Sequence, residues 1–215
     1  TMICTTTFYS YIDKGIFLKL TNKDLPVKKD QKRKYRKVKQ ARPSRGESIE
    51  NRPDAIDTRE EIGHWEMDTV KGKQGVTKSC LLVLTERKTR DEIIAKLPDQ
   101  KAESVVNALD RLEKKWGDMF YNVFKSITVD NGSEFADYEG MEKSCRREEK
   151  RTTIYYCHPY SSYERGSNEN QNKMIRRHIP KGTDFDDKTD EEIEQIEDWI
   201  NKYPRRTLGY CSSKE

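Results

Sequence analysis

Two hydrophobic periods run along this chain, and the shorter one predicts strands. Gly63 to Lys71 alternates between apolar and polar positions, Ser79 to Thr85 is an apolar run, and Asp91 to Leu97 is a third strand candidate. Three strands this close in sequence favour an antiparallel meander. Two later apolar segments, Phe124 to Val129 and Thr152 to Tyr156, predict a fourth and a fifth strand.

The longer period predicts three helices around these strands. Apolar residues recur at helical spacing from Ala102 to Trp116, and a second helix is predicted from about Ser167 to His178. Thr189 and Glu192 form a capping box at the start of a third helix. The order of elements predicts an α/β fold with a mixed five-stranded sheet and flanking helices. The three tryptophans are assigned to its core: Trp65, Trp116 and Trp199.

The first 57 residues show no long stretch of strand or helix periodicity. Thr5 to Asp13 predicts one short helix, which belongs either to the end of a helix-turn-helix region or to a packed N-terminal arm. Residues 26–57 are rich in charge and contain few apolar residues, which predicts an extended linker. The expected organisation is therefore an N-terminal segment (1–25), a basic linker (26–57), a core domain (58–210) and a short C-terminal end (211–215).

Charge is distributed unevenly along the chain. Residues 26–52 contain 11 Lys and Arg against 3 Asp and Glu, whereas the whole 215-residue chain has a net charge of only +4. A basic segment of this kind is typical of contact with a polyanion such as the DNA backbone. The basic residues at its centre are candidate DNA contacts: Arg33, Lys34, Arg36 and Lys37. A solvated linker without a ligand is the alternative.

The rest of the composition narrows the class of protein. Hydrophobic residues make up 33% of the chain and charged residues 37%, and no apolar run is long enough to span a membrane. Five widely spaced cysteines without a Cys-x-x-Cys pair argue against a disulfide framework and a structural zinc site. The sequence shows no signal peptide, so the expected compartment is the cytoplasm.

Three acidic residues stand in unusual surroundings and predict a metal site. Asp68 lies within the first strand, Asp130 follows the apolar segment that ends at Val129, and Glu169 lies at the start of a polar helix. An acid at the carboxyl end of a strand lies where α/β sheets bind ligands. Oxygen ligands without a His or Cys cluster favour Mg²⁺ or Mn²⁺. Two such ions would suit phosphodiester chemistry.

The helix that carries Glu169 predicts a surface for DNA. Glu169, Asn172, Lys173 and Arg176 share one helix face, so an acid for the metal and polar groups for DNA would lie together. The full set of candidate DNA contacts in the core is Lys71, Lys73, Asn172, Lys173, Arg176 and Arg177. His64 and His158 are weaker candidates, since scattered histidines are more often structural.

These same segments resemble a known family. Gly63 to Val70, Val129 to Phe135 and Glu164 to Asn172 are similar to three motif blocks of the IS-thirty family of bacterial DDE transposases, whose catalytic core is RNase H-like and related to retroviral integrases. The resemblance extends over about residues 20–210 and includes Leu81 to Arg87 and Trp199 to Arg206. Several motifs in the same order make it specific.

The resemblance implies metal-dependent DNA strand cleavage and strand transfer, with Asp68, Asp130 and Glu169 as the catalytic and metal-binding triad. Glu164 is the rival for the third position, and Glu66 and Glu134 are expected to support the site. The family also implies a homo-oligomer on paired transposon ends. Only the last part of a helix-turn-helix region is expected here, and the C-terminal stretch is expected to be cut short. A nuclease that cuts without joining and a non-catalytic DNA-binding remnant are the alternatives.

Overall fold

The computed structural model describes residues 3–17, 19–25, 46–158, 161, 164 and 166–215, with the side chains of Lys23, Ser167 and Glu169 outside the described part. The contacts divide the chain into a unit of residues 1–40 and a unit of residues 41–215. The candidate DNA contacts of the basic segment lie outside the described residues: Arg33, Lys34, Arg36 and Lys37.

The first unit contains helix α1 (Thr5–Asp13), as predicted, and a 3-10 turn (Asn22–Asp24). Within this helix, the buried residue is Ile12. Phe8 packs on Phe17, with ring centroids 5.4 Å apart. The helix ends as the chain turns through Gly15, whose φ of 67° is unstrained for glycine.

The second unit is built on a six-stranded mixed sheet with the order β1-β6-β5-β2-β3-β4. Pairing is antiparallel from β2 to β3 and from β3 to β4, and parallel from β2 through β5 and β6 to β1. The meander and the α/β class are therefore confirmed. The strands are β1 (Glu47–Ser48), β2 (His64–Lys71), β3 (Cys80–Glu86), β4 (Glu92–Leu97), β5 (Ser126–Val129) and β6 (Thr153–Tyr156).

Helices cover both faces of this sheet. On one face, Trp65 and Met67 join a core with residues of the first long helix, whereas Val70 joins a second core with residues of the last two helices. The helices of this unit are α2 (Ala55–Thr58), α3 (Ala102–Trp116), α4 (Phe120–Val123), α5 (Tyr138–Glu142), α6 (Gly166–His178) and α7 (Asp190–Lys202). The predicted capping box of Thr189 and Glu192 is present at the start of α7. No described helix combines the length and apolar character needed to cross a bilayer.

Three sequence predictions are corrected here. The sheet has a sixth strand, because residues 47–48 pair with β6, so the predicted linker is folded onto the core domain from residue 46 onwards. Arg52 and Ile56 of this segment are buried. The fourth predicted strand starts at Ser126 instead of Phe124, since Phe124 closes helix α4.

Trp199 is not a core residue, unlike Trp65, which is 2% exposed. It is 37% exposed and lies at the edge of the buried face of α7. Its ring packs against His178, with centroids 4.3 Å apart, and against Tyr203, at 5.1 Å. The helical spacing that includes Ile196 and Ile200 therefore identified the helix but not the limit of its buried face.

Helix α7 also protects the edge of the sheet. Asn201 exchanges two hydrogen bonds of 2.8 Å with the backbone of Glu92, and Glu197 accepts a hydrogen bond of 2.7 Å from the backbone N–H of Ile94. Burial raises the pKa of the Glu197 carboxyl. These side chains satisfy backbone groups of edge strand β4 that would otherwise be open to another strand.

Candidate active site

Asp68 lies on the face of β2 that is covered by α6. Strand alternation puts Glu66, Asp68 and Val70 on one side, and Val70 packs with Ile175 of α6 in the second core. Asp68 is half-buried, and its carboxylate accepts a hydrogen bond of 2.9 Å from the backbone N–H of Thr69. The first predicted acid therefore faces the helix that carries the third.

Asp130 lies beside Asp68 at the end of the neighbouring parallel strand. The β2–β5 register pairs His64 with Ser126 and Glu66 with Thr128, so its continuation brings Asp130 level with Asp68. Paired residues of adjacent strands lie about 5 Å apart. The backbone N–H of Gly132 donates to Asp130 Oδ1 at 2.8 Å and thereby fixes the turn that follows the strand.

Helix α6 is tied to β2 at two points that bracket Glu169. The Asn172 side chain donates to Asp68 Oδ2 at 2.9 Å, and the backbone N–H of Asn168 donates to Glu66 Oε2 at 3.2 Å. Glu169 belongs to the first turn of α6, although its side chain lies outside the described part of the structure. Residues three apart share a helix face, so the position of Glu169 is on the same side as Asn172.

Glu66 has a structural role in this arrangement. Its side chain is fully buried and forms an ion pair of 2.9 Å with Arg87, which also contacts Asp57 at 3.1 Å. Burial lowers the pKa of the Arg87 guanidinium, and the charge of Glu66 opposes that shift. Since Glu66 also accepts a hydrogen bond from the backbone of Asn168, it supports the start of α6.

The rival acid and the two candidate histidines are engaged in local contacts. Glu164 accepts hydrogen bonds from the backbone N–H of His158 at 2.9 Å and contacts His158 Nδ1 at 2.8 Å. Hydrogen bonds to Glu164 and, with a smaller effect, to Glu50 raise the pKa of His158. His64 is buried and contacts Ser126 Oγ at 2.8 Å. The contacts of His64 and His158 are those of structural residues.

A basic groove of about 670 Å³ runs beside Asn172, between the end of β2 and helix α6. All the charged residues described in its lining are cationic, which suits a phosphate backbone. They are Lys71, Lys173, Arg176, Arg177 and Lys181. A second cavity of about 740 Å³ shares Lys71, Arg176 and Lys181 with this groove and adds Lys73 and Lys78.

Arg176, one of the predicted DNA contacts, lines this groove, and two further lysines line the groove or the adjoining cavity. Arg176 is half-buried, donates to the backbone carbonyl of Lys71 at 2.7 Å, and has its pKa lowered by burial. It therefore braces the groove wall. The sequence pattern did not predict Lys181 and Lys78 as candidate DNA contacts, because each lies in a loop without a periodic pattern.

A second group of ligand-type side chains lies away from the predicted acids. Asp110, Glu113 and Cys145 have potential ligand atoms within 4.8 Å of one another. Among the residues that the structure describes, they form the group with metal-ligand spacing. The fully buried Arg151 contacts Asp110 and lies 3.3 Å from Glu113 Oε2. A guanidinium thus already supplies the positive charge at this cluster. All five cysteines are free.

The geometry defines a class of protein. The strand order is that of the RNase H-like integrase catalytic core fold, and the integrase core domain model matches residues 58–162. The catalytic core domain of BIV integrase superposes with a TM-score of 0.50 at 18% identity, over 72% of this chain and 92% of that one. The structural similarity confirms the predicted fold.

Curated relatives with detectable similarity to this chain are transposases of insertion sequences. The chain is 37% identical over 211 residues to the probable transposase for insertion-like sequence element IS1161 of Streptococcus salivarius, an alignment that covers 98% of this chain and 57% of the relative. Transposase InsI for insertion sequence element IS30A of Escherichia coli is 35% identical over 170 residues, with 79% and 42% covered. The chain is therefore similar to insertion-sequence transposases over most of its length and contains a match to the integrase core domain. It spans about half the length of the curated relatives it matches.

Proposed function

We propose that this chain is the catalytic part of a bacterial DDE transposase that cuts DNA strands at the ends of an insertion sequence and joins them to a target. One arrangement carries this proposal: continuation of the β2–β5 register brings Asp130 level with Asp68, and Asn172 ties Asp68 to the helix that bears Glu169. The proposed catalytic and metal-binding residues are therefore Asp68, Asp130 and Glu169.

The donor set of this site fits Mg²⁺, with Mn²⁺ as a substitute. Carboxylate oxygens are the ligands that these hard ions prefer. Two bound ions would polarise the phosphodiester and activate the water or hydroxyl oxygen that attacks it. The residues of the chain fix the ligands. Asn172 orients the Asp68 carboxylate, Gly132 N–H orients that of Asp130, and Glu66 anchors the start of α6.

Glu169 is the better candidate than Glu164 for the third acid. Its helix is bonded to Asp68 through Asn172, one turn further along. Both carboxylate oxygens of Glu164 are already within hydrogen-bond distance of His158. A carboxylate held in this way is less available to an ion, whereas the helix position of Glu169 is on the same side of α6 as Asn172.

DNA would lie along the basic groove, with its phosphates near Lys71, Lys173 and Arg177. Lys73 extends the same surface through the adjoining cavity, and Asn172 is close enough to the acids to contact the reacting strand. The basic segment with Arg33, Lys34, Arg36 and Lys37 would follow the duplex further away. We propose that the active complex is a homo-oligomer in the bacterial cytoplasm, associated with the nucleoid when bound to DNA.

A strand-cleavage and strand-transfer assay tests this function. The substrate is a labelled duplex carrying the terminal repeat of the element, incubated with Mg²⁺ or Mn²⁺. Joined products are expected from the chain and from its Glu164→Gln variant, but not from Glu169→Gln. Cleavage without joining would favour a nuclease, and salt-sensitive DNA binding without either reaction would favour a non-catalytic remnant. Loss of joining in Glu164→Gln alone would transfer the third position to Glu164.

A further inference from the structure

Glu134 is a buried carboxylate beside the proposed active site, and it links strand β2 to the turn that follows β5. Its Oε1 accepts a hydrogen bond of 2.7 Å from Thr69 Oγ1 and another from the Gln100 side chain. Gln100 Nε2 also donates to Thr69 Oγ1 at 3.0 Å, so the three side chains close a small network. Glu134 is 8% exposed. Few arrangements are therefore open to its carboxylate.

The ends of this network lie next to the two strand acids. Thr69 directly follows Asp68 on β2, and Glu134 belongs to the 3-10 turn Ser133–Phe135 that follows Asp130. This turn is itself well anchored, because Phe135 is fully buried and its carbonyl accepts a hydrogen bond from Tyr156. The network thus connects the strand that carries the first acid to the loop that carries the second.

The second oxygen of Glu134 and one oxygen of Asp130 both lie close to Gly132. A Cβ atom on Gly132 would lie 2.6 Å from Glu134 Oε2 and 2.9 Å from Asp130 Oδ1. Both carboxylates therefore approach the same side of Gly132, where no side chain fits. Two like charges held this close favour a nearby cation, and the cost of their proximity falls when one binds.

We propose that Glu134 is a positioning residue for the metal site: through Thr69 and Gln100 it fixes the Asp130 loop against the strand of Asp68 and so sets the separation of the two ligands. This inference rests on the proposed metal-dependent function. Residues that orient metal ligands typically contribute about 10- to 100-fold to metal affinity. Glu134 need not contact the ion to have this effect.

Mn²⁺ binding to the full chain without DNA tests the proposal independently of catalysis. Free Mn²⁺ is measured by electron paramagnetic resonance during a titration of the wild type, Glu134→Ala, Glu134→Gln and Thr69→Val. We expect Glu134→Ala and Thr69→Val to weaken binding by about tenfold or more. Glu134→Gln should lose less than Glu134→Ala, because its amide oxygen still accepts from Thr69.

Glu142→Gln is the matched control. Glu142 is also buried, at 6% exposure, but its carboxylate accepts from the backbone N–H of Ile154 near the opposite end of the parallel strands. Its substitution should leave the Mn²⁺ isotherm unchanged. Wild-type affinity in Glu134→Ala and Thr69→Val, or equal weakening in Glu142→Gln, would overturn the positioning role. Absence of Mn²⁺ binding by the wild type would instead contradict the proposed metal site itself.

Discussion

Two groups of acids in the same domain are stabilised in different ways. At the first, Asp110 and Glu113 lie against the buried guanidinium of Arg151, which also donates to the carbonyl of Met141 at 2.8 Å. At the second, Asp68 and Asp130 accept hydrogen bonds from neutral groups such as the Asn172 amide and the Gly132 N–H. The first cluster contains its own cation, whereas the second presents oxygen ligands at the end of a sheet.

The difference shows that clustering of acids alone does not identify a metal site. The Glu113 carboxylate is fully buried, and burial alone would raise its pKa. Hydrogen bonds from Ser144, Tyr121 and Cys145 outweigh that effect and lower the pKa of Glu113 to about 2. A carboxylate stabilised this strongly by its neighbours has a structural role, whereas Asp68 and Asp130 are the carboxylates that we propose as metal ligands.

The largest expected effect is on catalysis at the second cluster. Asp68→Asn and Asp130→Asn should each reduce strand cleavage on the order of 10³-fold, since a lost metal ligand removes several kcal/mol of transition-state stabilisation. Their urea unfolding midpoints should stay close to that of the wild type. Glu113→Gln, compared under conditions in which it is folded, should keep its cleavage rate. Equal loss of rate in all three variants would remove the distinction between the clusters.

The next effect is on stability at the first cluster. Arg151→Met should reduce the free energy of unfolding by about 3–5 kcal/mol, because it leaves the buried Glu113 and the half-buried Asp110 close together without their cationic partner. Urea unfolding followed by circular dichroism measures the change. The double variant Arg151→Met/Glu113→Gln should recover part of the loss. A midpoint within error of the wild type would contradict the structural role assigned to Arg151.

Acid should destabilise the first cluster in a defined range. The pKa of Glu113 is about 2 in the folded chain against an ordinary value of 4.5, so its stabilising contribution is complete above pH 4.5 and is lost as the pH falls toward 2. Unfolding free energies of the wild type and Glu113→Gln should therefore converge as the pH is lowered from 5 through this range. A constant difference between the two would show that Glu113 has no lowered pKa.

The smallest effects are expected along the basic groove. Lys173→Ala and Lys181→Ala should each reduce the slope of log Kd against log salt by about one unit if each lysine neutralises one phosphate. Fluorescence anisotropy with a short duplex at several salt concentrations gives the slope. Lys202→Ala is the control, because Lys202 lies on α7 paired with Asp198 at 2.6 Å. A slope that changes as much in the control would argue against the groove.

Local patterns explain how much of this fold could be predicted from the sequence. Helix α3 was placed at Ala102–Trp116 and the capping box of α7 was correct, because periodicity and caps depend on residues close in sequence. Strand β1 could not be predicted. Glu47 and Ser48 are poor strand formers, and their conformation depends on pairing with Tyr155 and Tyr156.

The candidate site divides in the same way. Asp68 and Asp130 could be found because each stands out within or directly after an apolar strand. The contact of Glu134 with Thr69 joins residues 65 positions apart, and no local pattern predicts it. Arg151 was missed for the same reason, since Asp110 lies 41 positions away. Long-range polar contacts therefore had to come from the structure.

The most direct test of the account is the stabilisation of the chain by Mg²⁺. Thermal unfolding of the wild type should shift upward with Mg²⁺, by about 2.7 kcal/mol of unfolding free energy at one hundred times Kd. The double variant Asp68→Asn/Asp130→Asn should show no such increment. Asp110→Asn/Glu113→Gln should be less stable than the wild type without Mg²⁺ but should keep the full increment when Mg²⁺ is added. Persistence of the increment in the first double variant and its loss in the second would place the ion at the Arg151 cluster and contradict the account.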